Sequence, residues 1–180
     1  MDRRRRTRRI AAACLVAGSL LVGGCFAGET RQLRREAEQL YESGDLQGAL
    51  EKYQQVLEQE PDDDLAHYDV GVVQYSLERY EEALASIDRA AALQPERADF
   101  LMLRGNTLIR LERHDEAIRD YEEALRLDPS QIEAYYSIGL AHYNKREYAT
   151  AVTWLKRYLD SGPPADRRER VQGLIEFLEQ

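Results

Sequence analysis

Apolar residues along this chain recur three and four positions apart, the spacing that lines them along one side of an α-helix. Leu101, Leu108 and Leu111 predict a helix over about 98–111, and Ile118, Tyr121 and Leu125 predict a second over about 115–127. Proline punctuates the pattern: Pro61, Pro95, Pro129 and Pro163 follow one another at intervals of 34 residues. Other positions keep the same register. Ala49, Ala83, Ala117 and Ala151 stand twelve residues before each proline, and Ala37, Gly71, Gly105 and Gly139 stand twenty-four before. Tyr53, Ile87, Tyr121 and Leu155 stand eight before, and Val56, Ala90, Ala124 and Tyr158 five before. Five positions in phase across four units define an internal repeat.

Each unit reads as two antiparallel helices, A and B. Alanine or glycine at two register positions lets helix axes approach to ~8–10 Å, where larger side chains would hold them apart. Proline closes helix B because its ring disfavours helical geometry in the residue before it. Restart signals follow: Asp62 to Asp64 offer caps for the second unit, and Ser130-Gln131-Ile132-Glu133 has the form of a capping box for the fourth. After Pro164, Val171, Leu174, Ile175 and Leu178 line one side of a further amphipathic helix, with Arg167, Arg168, Glu169 and Glu176 on the other.

The spacing, with Gly71/Ala83/Pro95, Gly105/Ala117/Pro129 and Gly139/Ala151/Pro163, resembles the tetratricopeptide repeat. The resemblance implies an all-α solenoid of four helix-turn-helix repeats, at 30–63, 64–97, 98–131 and 132–163, closed by a solvating helix at 164–180. Two residues depart from it. Glu36 and Arg104 stand where leucine is usual; Glu36 suits the outer face of a terminal repeat, and nothing in the sequence explains Arg104.

Residues 1–24 have a different character. A basic stretch to Arg9 precedes an apolar run from Ile10 to Val22, then Gly23-Gly24 and Cys25, the layout of a secretory signal. The run falls short of the ~20 apolar residues that a membrane-spanning helix needs, which favours cleavage over a permanent span. Val22-Gly23-Gly24-Cys25 resembles the lipobox of bacterial lipoproteins, which implies acylation of Cys25 and a short lipidated tether at 25–29. Phe26, rather than an acid, follows the cysteine, and the resemblance then implies the periplasmic face of the outer membrane. One acyl chain holds a protein only marginally, so stable attachment calls for more than one.

Charge narrows the partners. The 180 residues hold 25 basic and 33 acidic side chains, but the first 24 residues contribute six arginines and one acid. The remainder therefore carries 19 basic and 32 acidic groups, a charge of −13. Such a field repels phosphate backbones, excluding nucleic acid and favouring protein or cationic partners. Cys14 and Cys25 are the only cysteines, so the repeats can form neither a disulfide nor a cysteine metal site. His67, His114 and His142 occupy framework positions in three different repeats, and Glu81-Glu82 and Glu122-Glu123 are helix neighbours that do not face each other. The sequence thus predicts no catalytic residue, no metal and no cofactor.

In tetratricopeptide arrays helix A lines the concave surface through its second, fifth, ninth, twelfth and thirteenth positions. The resemblance places there Tyr68, Val72 and Tyr75 from the second repeat, Met102, Asn106, Ile109 and Arg110 from the third, and Tyr136, Leu140, Tyr143 and Asn144 from the fourth. Tyrosines offer large apolar area with a hydroxyl, which suits peptide or helix recognition; the convex face and the edges are the other surfaces on offer. Chaperone-tail-binding members clamp a terminal carboxylate with Lys, Arg and Asn, and Glu38, Asp69 and Asp99 stand at the matching places, against such a clamp. The expectation is a lipid-anchored, non-enzymatic adaptor for another envelope protein or a peptide segment. Similar lipoproteins include the type IV pilus pilotins that assist secretins; a periplasmic carrier or sensor of peptide or cationic ligands is the other reading.

Overall fold

The computed structural model describes residues 28–180. The signal segment and Cys25 lie outside the described residues. Among those described the structure is all α-helical: α1 over 28–43, α2 Leu46–Gln59, α3 Asp64–Ser76, α4 Tyr80–Leu93, α5 Ala98–Arg110, α6 His114–Leu127, α7 Glu133–Asn144, α8 Tyr148–Asp160 and α9 Ala165–Leu178. Gly28 and Glu29, expected in the tether, are already helical. None of these helices is long and apolar enough to cross a membrane. Two compact units result, one ending at Asp62 and one spanning Asp63–Gln180. In the second, α3 pairs with α4, α5 with α6 and α7 with α8; each hairpin packs on the next, and α9 packs on α8. Helices α3, α5 and α7 also touch in sequence, as in an α-solenoid.

The repeat positions explain the hairpins. Ala49, Ala83, Ala117 and Ala151 are fully buried. A Cβ added at Gly71 would stand 2.6 Å from Ile87 Cγ1, one at Gly105 2.6 Å from the Tyr121 ring, and one at Gly139 2.8 Å from Leu155 Cδ2. In the second unit the glycine of each A helix thus faces the large position of its own B helix at a distance no side chain permits, whereas the first repeat has Ala37 at this position. Proline acts as expected: Glu60, Gln94 and Asp128, the residues before Pro61, Pro95 and Pro129, leave the helix with φ of −127°, −135° and −139°. Asp63 caps α3 by accepting from the Ala66 amide at 2.9 Å. The capping box at Ser130 does not form. Asp128 accepts from both the Ser130 amide (3.0 Å) and hydroxyl (2.6 Å), turning that side chain back, and α7 begins without a side-chain cap.

One turn recurs between helices A and B. Gly44, Glu78, Glu112 and Arg146, each 34 residues from the next, adopt φ of 87°, 60°, 58° and 64°. The following amide then reaches a carbonyl five residues back, as in Arg79 to Gln74, Arg113 to Leu108 and Glu147 to His142, all at 2.9 Å. This is the left-handed helix stop that glycine fits best. Only the first repeat has glycine there.

Arg104 gains its explanation here. Its guanidinium donates to both carboxylate oxygens of Asp120 at 2.7 Å and to Asp88 at 3.3 Å. Glu36, at the same register position in the first unit, accepts from Lys52 Nζ at 2.6 Å, and the residue offset is again sixteen. The other two repeats hold Val70 with Ser86, and Ile138 with Trp154, at these positions. A charged residue is therefore tolerated in the leucine position where the opposing helix supplies its counter-charge.

Three stability outcomes follow. Gly105→Ala lowers stability by about 1–3 kcal/mol in urea unfolding because the buried Tyr121 ring cannot yield, whereas Gly173→Ala on α9, where a Cβ meets nothing within 4 Å, is neutral or stabilising. Glu112→Gly raises stability by about 0.5–1 kcal/mol by relieving the left-handed backbone. Asp120→Ala leaves Arg104 half-buried beside an empty place and costs about 1–3 kcal/mol, while the double change Arg104→Leu, Asp120→Leu recovers most of that loss.

Candidate functional site

Helices α3, α5 and α7 each project a row of side chains from the A-helix side of the second unit. Where the rows converge, a shallow cavity of about 160 Å³ is lined by Tyr75, Asn106, Ile109, Arg110, Tyr121, Ser137 and Leu140. Five of the eleven residues expected in the groove meet here: Tyr75, Asn106, Ile109, Arg110 and Leu140. The walls are mostly apolar.

Its polar chemistry is set by Tyr121. The phenol rises from α6 against Gly105 and donates to Asn106 Oδ1 at 2.7 Å. Burial pushes its pKa well above the ordinary value, with Ser137 opposing the shift, so Tyr121 stays a neutral donor. With its oxygen engaged, the Asn106 amide retains its NH₂ group as a donor. Arg110 supplies another. Its guanidinium lies 4.7 Å over the Tyr80 ring, and no carboxylate is paired with it among the described residues. An apolar cup with an amide and a guanidinium on its lining can take an apolar side chain and donate to a neighbouring carbonyl or other acceptor.

The remaining expected residues lie elsewhere. Tyr68 stacks on Phe100 at 4.8 Å, and Phe100 is also covered by Arg97 at 4.4 Å. Met102 packs, half-buried, against the core. Tyr136 leans on Tyr158 at 5.4 Å and lines a separate cavity of about 350 Å³ with Arg167, Arg170 and Val171, beside α9. Tyr143 pairs with Tyr148, Val72 is half-buried, and Asn144 is exposed. Tyr121 and Ser137 were not expected in the site. The position of Tyr121 holds Ile87 and Leu155 in neighbouring repeats and reads as framework; its hydroxyl was the signal, because a buried phenol needs a partner.

A polar cavity of about 220 Å³ lies on Leu84, Asp88, Arg104, Leu108, Arg113, Glu116, Arg119 and Asp120. Its charges largely satisfy one another: besides the Arg104 pairs, Arg113 holds Glu116 through two bonds of 2.7 Å. Of the histidines, His142 Nδ1 meets Glu147 Oε2 at 2.6 Å across the turn between α7 and α8, and His114 is half-buried at the start of α6 with its Nδ1 turned away from solvent. Among the described residues no group of three or more His, Cys, Asp or Glu could hold a metal ion.

These features agree with known proteins. The solved structure of MamA superposes with a TM-score of 0.71 at 24 % identity, over 89 % of this chain and 95 % of that one. YrrB, described as a TPR protein with an unusual peptide-binding site, gives 0.68 at 21 % identity, over 86 % and 83 %. The first TPR of Spaghetti (RPAP3), solved with the HSP90 peptide SRMEEVD, gives 0.63 at 20 % identity, over 65 % and 93 %. At these identities the likeness concerns the fold. The tetratricopeptide repeat profile itself matches residues 34–98, 75–132 and 102–166. The glycine, alanine and proline positions that build the hairpins are those of its repeat, and the chain belongs to the tetratricopeptide repeat family.

Proposed function

We propose that this protein is a membrane-anchored adaptor, without catalytic activity, that holds a peptide segment of another envelope protein in the cup between α3, α5 and α7. The cup carries this reading: apolar walls from Tyr75, Ile109 and Leu140, with unpaired donors on Asn106 and Arg110. An extended peptide can seat one apolar side chain there and accept hydrogen bonds through its backbone carbonyls. That solved relatives in fold include a protein with a peptide-binding site and one with a bound peptide supports the choice of a peptide as occupant. The acidic charge of the chain favours a partner of opposite sign.

The anchor is the acyl-modified Cys25, and Phe26 after it directs the protein to the periplasmic face of the outer membrane, where it assembles or localises a larger complex. Crosslinking and affinity capture from native membranes tests the adaptor role. A protein enriched over a control with the same signal segment, and lost when Leu140→Asp and Asn106→Ala disrupt the cup, is the expected result; no enrichment refutes it. Saturable binding of a small cationic peptide, without any captured protein, would favour a carrier instead. Cys25→Ala is expected to release the protein from the membrane fraction, and unchanged membrane association would refute lipid anchoring.

A further inference from the structure

Arg110 crosses from the third hairpin to the second, where its guanidinium lies 4.7 Å over the ring of Tyr80. Tyr80 in turn packs edge-on against Tyr75, with ring centres 5.5 Å apart and planes at 66°. Two tyrosines at the joint between helix A and helix B, with a cation seated on the second of them, make a complete unit. The chain contains that pair a second time. Two repeats further on, at the same register positions, Tyr143 and Tyr148 stand with ring centres 5.8 Å apart and planes at 51°.

The cation is absent from the second copy. The residue 68 positions after Arg110 is Leu178, on α9, and it packs against the core cluster of Val152, Leu155 and Tyr158. Tyr143 and Tyr148 are left 36 % and 44 % exposed, among the large apolar side chains most open to solvent. Among the described residues no guanidinium lies over either ring. The nearby Lys145 is engaged with Asp115 at 2.7 Å and Glu147 at 2.9 Å.

We propose that the Tyr143–Tyr148 pair is a docking seat for an arginine side chain of the protein partner, filled from outside as Arg110 fills its counterpart from within. The negative ring faces attract the guanidinium and its planar shape matches them, which lysine does not reproduce. The acidic excess of the chain brings such a residue close. This assignment rests on the protein-binding reading above but uses a different surface from the cup.

The test is fluorescence anisotropy of the purified full chain with a labelled Ala-Arg-Ala-Arg-Ala peptide, its lysine analogue, and its citrulline analogue, which keeps the shape and loses the charge. Binding is expected to fall from arginine to lysine to citrulline. Tyr143→Leu and Tyr148→Leu should each weaken the arginine peptide by roughly threefold to tenfold, whereas Tyr148→Phe, which keeps the ring, should leave it unchanged. Equal binding of the citrulline peptide, no binding at millimolar peptide, unaltered affinity in the leucine variants, or equal loss in Tyr148→Phe and Tyr148→Leu would each overturn the proposal. Thermal melting of every variant checks that the fold is intact. Capture of the partner protein, lost on Asn106→Ala in α5, reads the cup, while the preference for arginine and the Tyr143 and Tyr148 variants read the seat, so failure of the cup and failure of the seat give different results.

Discussion

In each hairpin of the second unit a glycine on helix A lies against a large residue on helix B: Gly71 against Ile87, Gly105 against Tyr121, Gly139 against Leu155. The approach is closer than any side chain allows, and with the buried alanines it fixes the spacing and rotation of the two helices. The rest of the structure takes its bearings from this contact. It decides which A-helix residues face outward and how one hairpin presents itself to the next. In the third repeat it reaches the site directly, because the ring that presses on Gly105 carries the hydroxyl that orients Asn106. One packing constraint therefore builds both the framework and the polar wall of the cup.

The fold was legible because a tandem array states each physical requirement several times. A single Gly-to-Ala-to-Pro spacing carries little information; three in phase, preceded by Ala37, Ala49 and Pro61 in the same register, leave one solution. Helix ends, caps and the closing helix followed from the same register. The exception was Ser130, where the capping pattern was present but Asp128, two residues earlier, engaged the hydroxyl first. Arg104 was legible only in pairs. Alone it violates a leucine position, but Glu36–Lys52 and Arg104–Asp120 share an offset of sixteen residues with the signs reversed.

The site was less legible than the fold. Register tells which side of helix A a residue occupies, and five of the eleven expected residues do converge on the cup. It does not tell what the neighbouring repeat places over that residue. Phe100 lies against Tyr68, and the closing helix α9 puts Tyr136 in a different cavity from the cup. Such coverings depend on a particular side chain in a particular repeat. Tyr121 was missed for the reverse reason: framework positions are read for size, and its function lies in one oxygen atom.

Electrostatics and surface shape divide the work of recognition by range. Many of the described cations are committed within the chain, Arg97 to Asp99, Arg104 to Asp120, Arg113 to Glu116 and Arg126 to Glu123. Those pairs cancel locally, and the acidic excess is what an approaching partner meets. At physiological salt that attraction is screened beyond about 8 Å, so it gathers basic partners without telling one from another. Discrimination belongs to contacts at van der Waals range. There the chain offers an apolar cup with two donors, and a tyrosine pair whose occupied counterpart elsewhere in the same stack already holds an arginine. A partner that fits both must carry an acceptor-flanked apolar residue and a guanidinium at a fixed separation, a stricter demand than either surface makes alone.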